Sequence, residues 1–186
     1  KRILIPFGES LPFGPLNDFL SQYIRNISYF AQGERYTLFE TSEDIPFTTA
    51  ICYEILFSDY IRNYLNHVDQ LPHFIVNLTN DSWYGDTSEP RQHLFLAKWR
   101  ALEFQLPIAR MTNTGITSVV YTDGSESERL GVGEKDYLDV TLRTSAKKRT
   151  WFQVWGVWGT VALIALLAAI MKVAQSSKRK PSFKRS

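Results

Sequence analysis

From Trp151 to Met171 the chain reads WFQVWGVWGTVALIALLAAIM, 21 residues in which Gln153 is the only strongly polar side chain. As a helix rising 1.5 Å per residue, this run spans about 31 Å, close to the roughly 30 Å of a bilayer's hydrocarbon core, so it is expected to cross a membrane. Trp151, Trp155 and Trp158 cluster at its leading end, where amphipathic rings favour the bilayer interface. That clustering sets it apart from the buried core helix of a large soluble protein, the other structure such a run can form.

The run also divides the charge. All 19 acidic residues lie between Glu9 and Asp139, whereas 12 of the 21 basic ones lie between Lys1 and Arg143, so residues 1–146 carry −7 and residues 147–186 carry nine positives and no acid. A body this acidic argues against nucleic acid as the main partner. Lys147, Lys148 and Arg149 precede the apolar run, and Lys172, Lys178, Arg179, Lys180, Lys184 and Arg185 follow it. The excess on the C-terminal side places the tail in the cytoplasm and the acidic body across the membrane from it. Three regions follow: a folded body over 1–146, a membrane helix with basic and aromatic flanks over 147–172, and a basic disordered tail over 173–186.

Within the body, short apolar runs alternate with helical patterns. Phe47 to Cys52 and Phe74 to Leu78 read as buried strands, with a helix from Ile55 to about Asn66 between them. The loop TNDSWYGDTSEP leads to a helix capped by Thr87 or Ser88, with Pro90 in its first turn and Pro107 beyond its end. Strands follow from Ile108, over Ile116 to Tyr121, and over Tyr137 to Leu142, with a turn at Asp123-Gly124. This alternation implies an α/β sheet layered with helices. The chain opens without an initiator Met or a signal peptide, directly on the strand-like Ile3-Leu4-Ile5, as expected of the C-terminal portion of a longer polypeptide. A single cysteine, Cys52, excludes an internal disulfide and a cysteine-cluster metal site. His67, His73 and His93 show no ligand spacing and argue against zinc.

Cys52 ends an apolar strand just before a helix, in the order Ala50-Ile51-Cys52-Tyr53-Glu54. In α/β enzymes that junction presents a nucleophile at the sheet edge, where a helix N-terminus stabilises a thiolate. An unassisted thiol is only about a few per cent ionised at neutral pH, so it needs a neighbouring base or cation. Taken alone, a lone cysteine on an apolar strand reads more readily as a buried packing residue. Three further blocks bear on the choice: the opening KRILIPFGE, the loop NLTNDSWYGD after a buried strand, and WRALEFQLPIARMTNTG, which joins a helix to a strand and a glycine turn.

Together these blocks resemble the nitrilase superfamily, whose triad is Glu, Lys and Cys, and within it the apolipoprotein N-acyltransferases. KRILIPFGE resembles the lysine motif, AICYE the nucleophile motif, and NDSWYGD, RALE and TNTG blocks in the same order; the likeness covers nearly all of residues 1–171. The resemblance implies a partial nitrilase-like α-β-β-α sandwich followed by one C-terminal transmembrane helix. It assigns Cys52 as nucleophile, Lys1 as stabiliser of the oxyanion and Glu9 as the support of that lysine. The family's general-base glutamate belongs to a strand before the lysine motif, so this stretch by itself is expected to be inactive.

The residues fit those roles. Cys52 would attack an ester carbonyl to give a thioester. Lys1 and the backbone N–H of Tyr53 are the candidate donors to the developing oxyanion. Glu9 would hold the lysine through a charge-assisted hydrogen bond, or be an exposed turn carboxylate. Glu54 would brace the site, or simply favour a helix start. Tyr53 reads as pocket wall or as core. Asn80, Asp81, Trp83 and Tyr84 border the pocket or form a packed Asn-Asp turn, while Arg100 and Glu103 read as a structural helix pair. Residues 11–30, rich in Leu, Phe, Ile and Tyr, read as a core helix or as a membrane-facing lid, the second being what the resemblance favours.

The resemblance further implies a phospholipid acyl donor, an apolipoprotein acceptor with a free diacylglyceryl-cysteine amine, a monomer in the bacterial inner membrane with its catalytic domain in the periplasm, and no metal or organic cofactor. A membrane-anchored amidase using water as acceptor, and a non-catalytic membrane-tethered binding module, are the two competing expectations.

Overall fold

The computed structural model describes residues 1–24, 27–85, 87–144 and 148–178. Among the described residues, the first 38 positions hold no regular strand, only one turn of 3-10 helix at Gly14–Leu16 and the short helix α1 at Asn17–Leu20. The described residues of 11–30 do not form the single long helix that their apolar content allows, and Pro12, Gly14 and Pro15 break up the start of the stretch. No strand forms at Ile3-Leu4-Ile5 either, because the N–H groups of Arg2, Ile3 and Ile5 go to the carboxylates of Glu54 and Glu9 and not to a neighbouring strand.

Six strands then make one mixed sheet in chain order: β1 Phe39–Glu40, β2 Pro46–Ile51, β3 Phe74–Thr79, β4 Ile108–Thr112, β5 Thr117–Val120 and β6 Glu126–Leu130. The pairs β2·β3 and β3·β4 are parallel and the outer pairs antiparallel. The parallel pairs are joined by α2 (Ser58–His67) and α3 (Glu89–Phe104), the long connections that parallel pairing requires. Tyr137 to Leu142 is not a strand, since β6 already takes the sheet edge after the Asp123-Gly124 hairpin turn. Gly124 turns at φ 81°, and the Asp123 carboxylate accepts from the Ser125 N–H and hydroxyl. Residues 137–142 pass alongside the sheet, held by a Tyr121 hydroxyl that donates to the Thr141 carbonyl.

Side chains alternate across the sheet as its pleat dictates. Thr48 and Ala50, Ile75 and Asn77, Ile108 and Arg110 lie buried on one face. There they meet Ile55, Ile61, Leu65, Leu94 and Phe104 in one core. Ala97 and Ala101, spaced four apart and fully buried, let α3 approach the strands closely. The opposite face carries a stacked ladder, Phe39 on Phe47 on Phe74, and leaves Leu78 and Met111 exposed. The body therefore supplies one sheet with helices on one side, half of the layering expected of a four-layer sandwich.

The last helix, α4, spans Trp151–Lys178. Its first turn docks on the body. The Thr150 hydroxyl accepts from Gln153 N–H as an N-cap and donates to the Glu103 carbonyl at the end of α3. Gln153 is buried and exchanges hydrogen bonds with Asn66, and Phe152 packs edge-on against Phe104. The helix then breaks at Gly156, whose φ 61° and ψ −162° belong to a region essentially restricted to glycine. A Cβ there would also meet the Arg62 side chain at 3.1 Å. Within α4, the stretch Trp151–Gln175 is long and apolar enough to cross a membrane, and almost all of its surface is exposed. Of the tail expected over 173–186, residues 173–178 continue α4, and the remainder lies outside the described residues.

Candidate active site

β2 ends at Ile51, and the next residue, Cys52, starts a 3-10 turn, Cys52–Leu56, in the left-handed conformation at φ 53°. Left-handed backbone is costly for a residue with a Cβ and marks a strained strand-to-helix elbow. Such strain at the end of a parallel strand makes Cys52 a candidate nucleophile, and it weighs against a plain packing cysteine. Cys52 is half-buried and its thiol is free. Tyr53, the next residue, packs edge-on against Phe57. As the second residue of the turn, it has an N–H with no intrahelical acceptor.

Glu54 ties this elbow to the lysine motif. Its side chain is 1% exposed. Arg2 N–H at 2.5 Å and Ile3 N–H at 3.0 Å donate to its Oε1, and Ile51 N–H donates to its Oε2 at 2.8 Å. The Tyr60 side chain from α2 faces the same carboxylate. Burial and this carboxylate together push the Tyr60 phenol well above its ordinary range, so it stays neutral. One carboxylate thus joins the residues next to Lys1 to the residue before Cys52.

Lys1 in turn is held by Glu9. Its ammonium donates to both carboxylate oxygens at 2.6 and 2.5 Å, with both side chains largely buried. Glu9 also accepts the Ile5 N–H at 2.9 Å, closing the tight turn in which Phe7 takes φ 63°. The exposed-turn reading of Glu9 does not hold.

Beneath the elbow lies a buried polar rung that sequence reasoning did not assemble. Ala50, Asn77, Arg110 and Ser118 are in register across four strands, each at most 2% exposed. Arg110 donates from Nη1 to Asn77 Oδ1 at 2.7 Å and from Nη2 to Asp81 Oδ2 at 2.8 Å, and Asn77 Nδ2 donates to the Ala50 carbonyl at 2.8 Å. The guanidinium also lies within electrostatic reach of Cys52. Burial alone would raise the Asp81 carboxyl. The His93 hydrogen bond, the Arg110 charge and the Thr79 hydroxyl outweigh it and hold the group below the usual carboxylate range. Burial pushes Glu89 up. Asp81, Glu89 and His93 have ligand atoms within 4.8 Å of one another, the spacing of a metal site. Arg110 already supplies a cation to Asp81, and the group reads as a charge cluster. A lone arginine in the apolar strand IARMT was the available sequence signal.

The loop carrying Asn80 and Trp83 borders the lysine turn: the Trp83 ring approaches Gly8, and Asn80 bonds Ser82 and Asn113. Only the backbone of Tyr84 is described. Arg100 and Glu103 form a two-armed ion pair. Arg100 also donates to the Leu56 carbonyl at 2.9 Å and Ser58 donates to Glu103 at 2.8 Å, so the pair anchors α3 to the turn after the nucleophile. Phe13, Leu16, Phe19 and Tyr23 stand exposed on and beside the short helices after the lysine motif.

The model of the carbon-nitrogen hydrolase family matches residues 3–148. The chain is 36% identical to the apolipoprotein N-acyltransferase of Haemophilus ducreyi over 156 residues, which are 84% of this chain and 30% of that protein. It is 34% identical to the Vibrio cholerae apolipoprotein N-acyltransferase over 157 residues, again 84% and 30%. The chain thus spans about 30% of the length of these curated relatives. Among solved structures, the carbon-nitrogen hydrolase from Helicobacter pylori G27 matches 60% of this chain and 45% of its own, with a TM-score of 0.50 at 12% identity, a likeness of fold.

Proposed function

Given that the chain belongs to the carbon-nitrogen hydrolase family, we propose that it carries the nucleophile and lysine of an acyltransferase that moves a fatty acyl group from a phospholipid, through a thioester on Cys52, to the α-amino group of the diacylglyceryl-cysteine at the N-terminus of an apolipoprotein. The observation that carries this reading is the left-handed elbow at Cys52, fastened through Glu54 to the Lys1–Glu9 pair. The relatives named apolipoprotein N-acyltransferase support the choice of reaction.

In this reading Sγ of Cys52 attacks the ester carbonyl of the phospholipid. The Lys1 ammonium and the Tyr53 N–H receive the charge that develops on the carbonyl oxygen. Glu9 keeps the ammonium aimed, and the thiol proton passes to a glutamate that the family resemblance places before the lysine motif. Collapse expels the lysophospholipid, whose leaving oxygen takes the proton back from that glutamate, and leaves the acyl thioester. The lipoprotein amine then attacks that carbonyl, releasing the thiol and forming an amide.

Residues 1–146 serve as the C-terminal part of the catalytic domain, and the uncovered apolar face of the sheet as the surface on which its second layer packs. The exposed aromatics of residues 11–30, with Phe7 and Trp83, suit a surface that meets lipid chains. Exclusion of water by those chains favours the amine as acceptor. The helix of residues 151–175 holds the body at the membrane, and the flanking charges favour a periplasmic body and a cytoplasmic tail in the inner membrane.

The test incubates the full-length protein in membranes with phospholipid and a diacylglyceryl-cysteine peptide, and identifies the product by mass spectrometry. An amide-linked acyl group that is lost with Cys52→Ala supports the reading. Free fatty acid alone makes the protein a hydrolase, and no turnover makes it a binding module.

A further inference from the structure

The main chain at Lys1 is gripped from two sides. Glu54 takes the N–H groups of Arg2 and Ile3. On the other side runs the stretch Gln32–Tyr36, the return leg of the aromatic loop. Gly33 N–H donates to the Lys1 carbonyl at 2.6 Å, Gln32 Nε2 donates to the Arg2 carbonyl at 2.7 Å, and Arg2 Nη1 donates to the Glu34 carbonyl at 2.7 Å. The Arg2 guanidinium then lies 3.8 Å from the centre of the Tyr36 ring, a cation–π contact.

Packing does not fix this segment on its loop side, where Arg2, Ile3, Leu4, Leu11 and Phe30 border a cavity of about 480 Å³. Its position therefore depends on these bonds. A Cβ on Gly33 would sit 2.9 Å from the Lys1 carbonyl oxygen and 3.4 Å from its carbon. Both are main-chain atoms, so no rotamer change relieves the overlap, and the two stretches have to separate. The Glu9 turn is tied to the same loop, through Ser28 N–H on the Gly8 carbonyl and Phe30 N–H on the Glu9 carbonyl. Displacing the stretch therefore disturbs both the lysine and the carboxylate that aims it.

We propose that Gln32–Tyr36 is a positioning element for the catalytic lysine and that Gly33 is the residue that permits its close approach. This rests on the assignment of Lys1 in the proposed function. A reacting group displaced by about 1 Å loses on the order of 100-fold in rate, and a shift of a few tenths of an ångström loses less.

The experiment compares Gly33→Ala with the parent, as full-length protein in membranes, by acyl-transfer kinetics and by the rate at which iodoacetamide alkylates Cys52. The expected result is a kcat lowered about 10- to 100-fold, with the donor KM and the alkylation rate both within about twofold of the parent. The Arg2→Leu/Gln32→Ala double variant removes bonds without inserting bulk, and it keeps the test open if Gly33→Ala does not fold. It should lower kcat several-fold with alkylation unchanged. Parental kcat in either folded variant, or a parallel loss of alkylation, overturns the positioning role. A parent that transfers no acyl group overturns instead the function on which the proposal rests.

Discussion

Replacing Glu54 by glutamine tests the joint between the lysine motif and the nucleophile elbow. The carboxylate accepts three backbone N–H groups in a site from which water is excluded. An amide keeps one oxygen. If that oxygen stays with Arg2 and Ile3, the new NH2 faces the Ile51 N–H, and two donors meet. One hydrogen bond to a charged group is lost, worth about 1.5–3 kcal/mol, and the remaining bonds fall to the roughly 1 kcal/mol of neutral pairs. The total is about 3 kcal/mol. Glu54→Ala, which orphans all three N–H groups at about 1–3 kcal/mol each, should lose about 5 kcal/mol. Urea unfolding in detergent, followed through the five tryptophans, reads this stability. Acyl transfer should fall by about 100-fold as Lys1 and Cys52 lose their common tie. A Glu54→Gln protein within about 0.5 kcal/mol of the parent that also transfers acyl groups at the parental rate refutes the reasoning.

At Cys52, whose φ is 53°, glycine relieves the left-handed strain that alanine retains, so Cys52→Gly should be about 1 kcal/mol more stable than Cys52→Ala in the same unfolding assay, both being inactive. Asp81→Asn leaves Arg110 without its buried counter-ion and should destabilise by about 3–5 kcal/mol. Because the folded carboxyl of Asp81 is depressed, its stabilisation is present above the unfolded value of about 3.9 and is lost as pH falls further, so the acid limb of the melting profile should flatten in this variant. Glu89 is shifted the opposite way: its folded form holds a proton that the unfolded chain releases above about 4.3, stability declines as pH rises through that window, and Glu89→Gln should remove the decline. Gly156→Ala places a Cβ in a glycine-only conformation against Arg62 and should lower thermal stability in detergent by about 1–3 kcal/mol.

Much of the fold was legible because apolar alternation and proline punctuation mark β2, β3, α3 and β4. α3 stops at Phe104, two residues short of the expected Leu106, because Gln105 turns left-handed at φ 52° ahead of Pro107, and the strands over 47–52 and 74–78 lie within one residue of where alternation puts them. The sheet edge was not legible. β6 reads ESERL, a polar run with no buried face to signal it, whereas Tyr137 to Leu142 looks more strand-like and is left unpaired. The opening Ile3-Leu4-Ile5 misled for a different reason: its backbone donors are consumed by two distant carboxylates, and no local pattern reveals that. At the candidate site, motifs marked Lys1, Glu9, Cys52 and Glu54, which the fold ties together through the Glu54 and Glu9 carboxylates. Tyr60 carried no signal, since a tyrosine on an amphipathic helix looks like any core residue, and Gly33 lies in a stretch without regular structure. The break at Gly156 was hidden within an apolar run, because glycine is common in membrane helices.

The central claim is that Cys52 carries the acyl group. It is tested most directly by exposing the full-length protein in membranes to a phospholipid of defined acyl chains, with no amine acceptor, and weighing the peptide that contains Cys52. The account predicts one acyl mass added to that cysteine, released by neutral hydroxylamine, absent with Lys1→Ala, and transferred to a diacylglyceryl-cysteine peptide when one is supplied. An unmodified Cys52 peptide in a protein that still acylates the acceptor contradicts it.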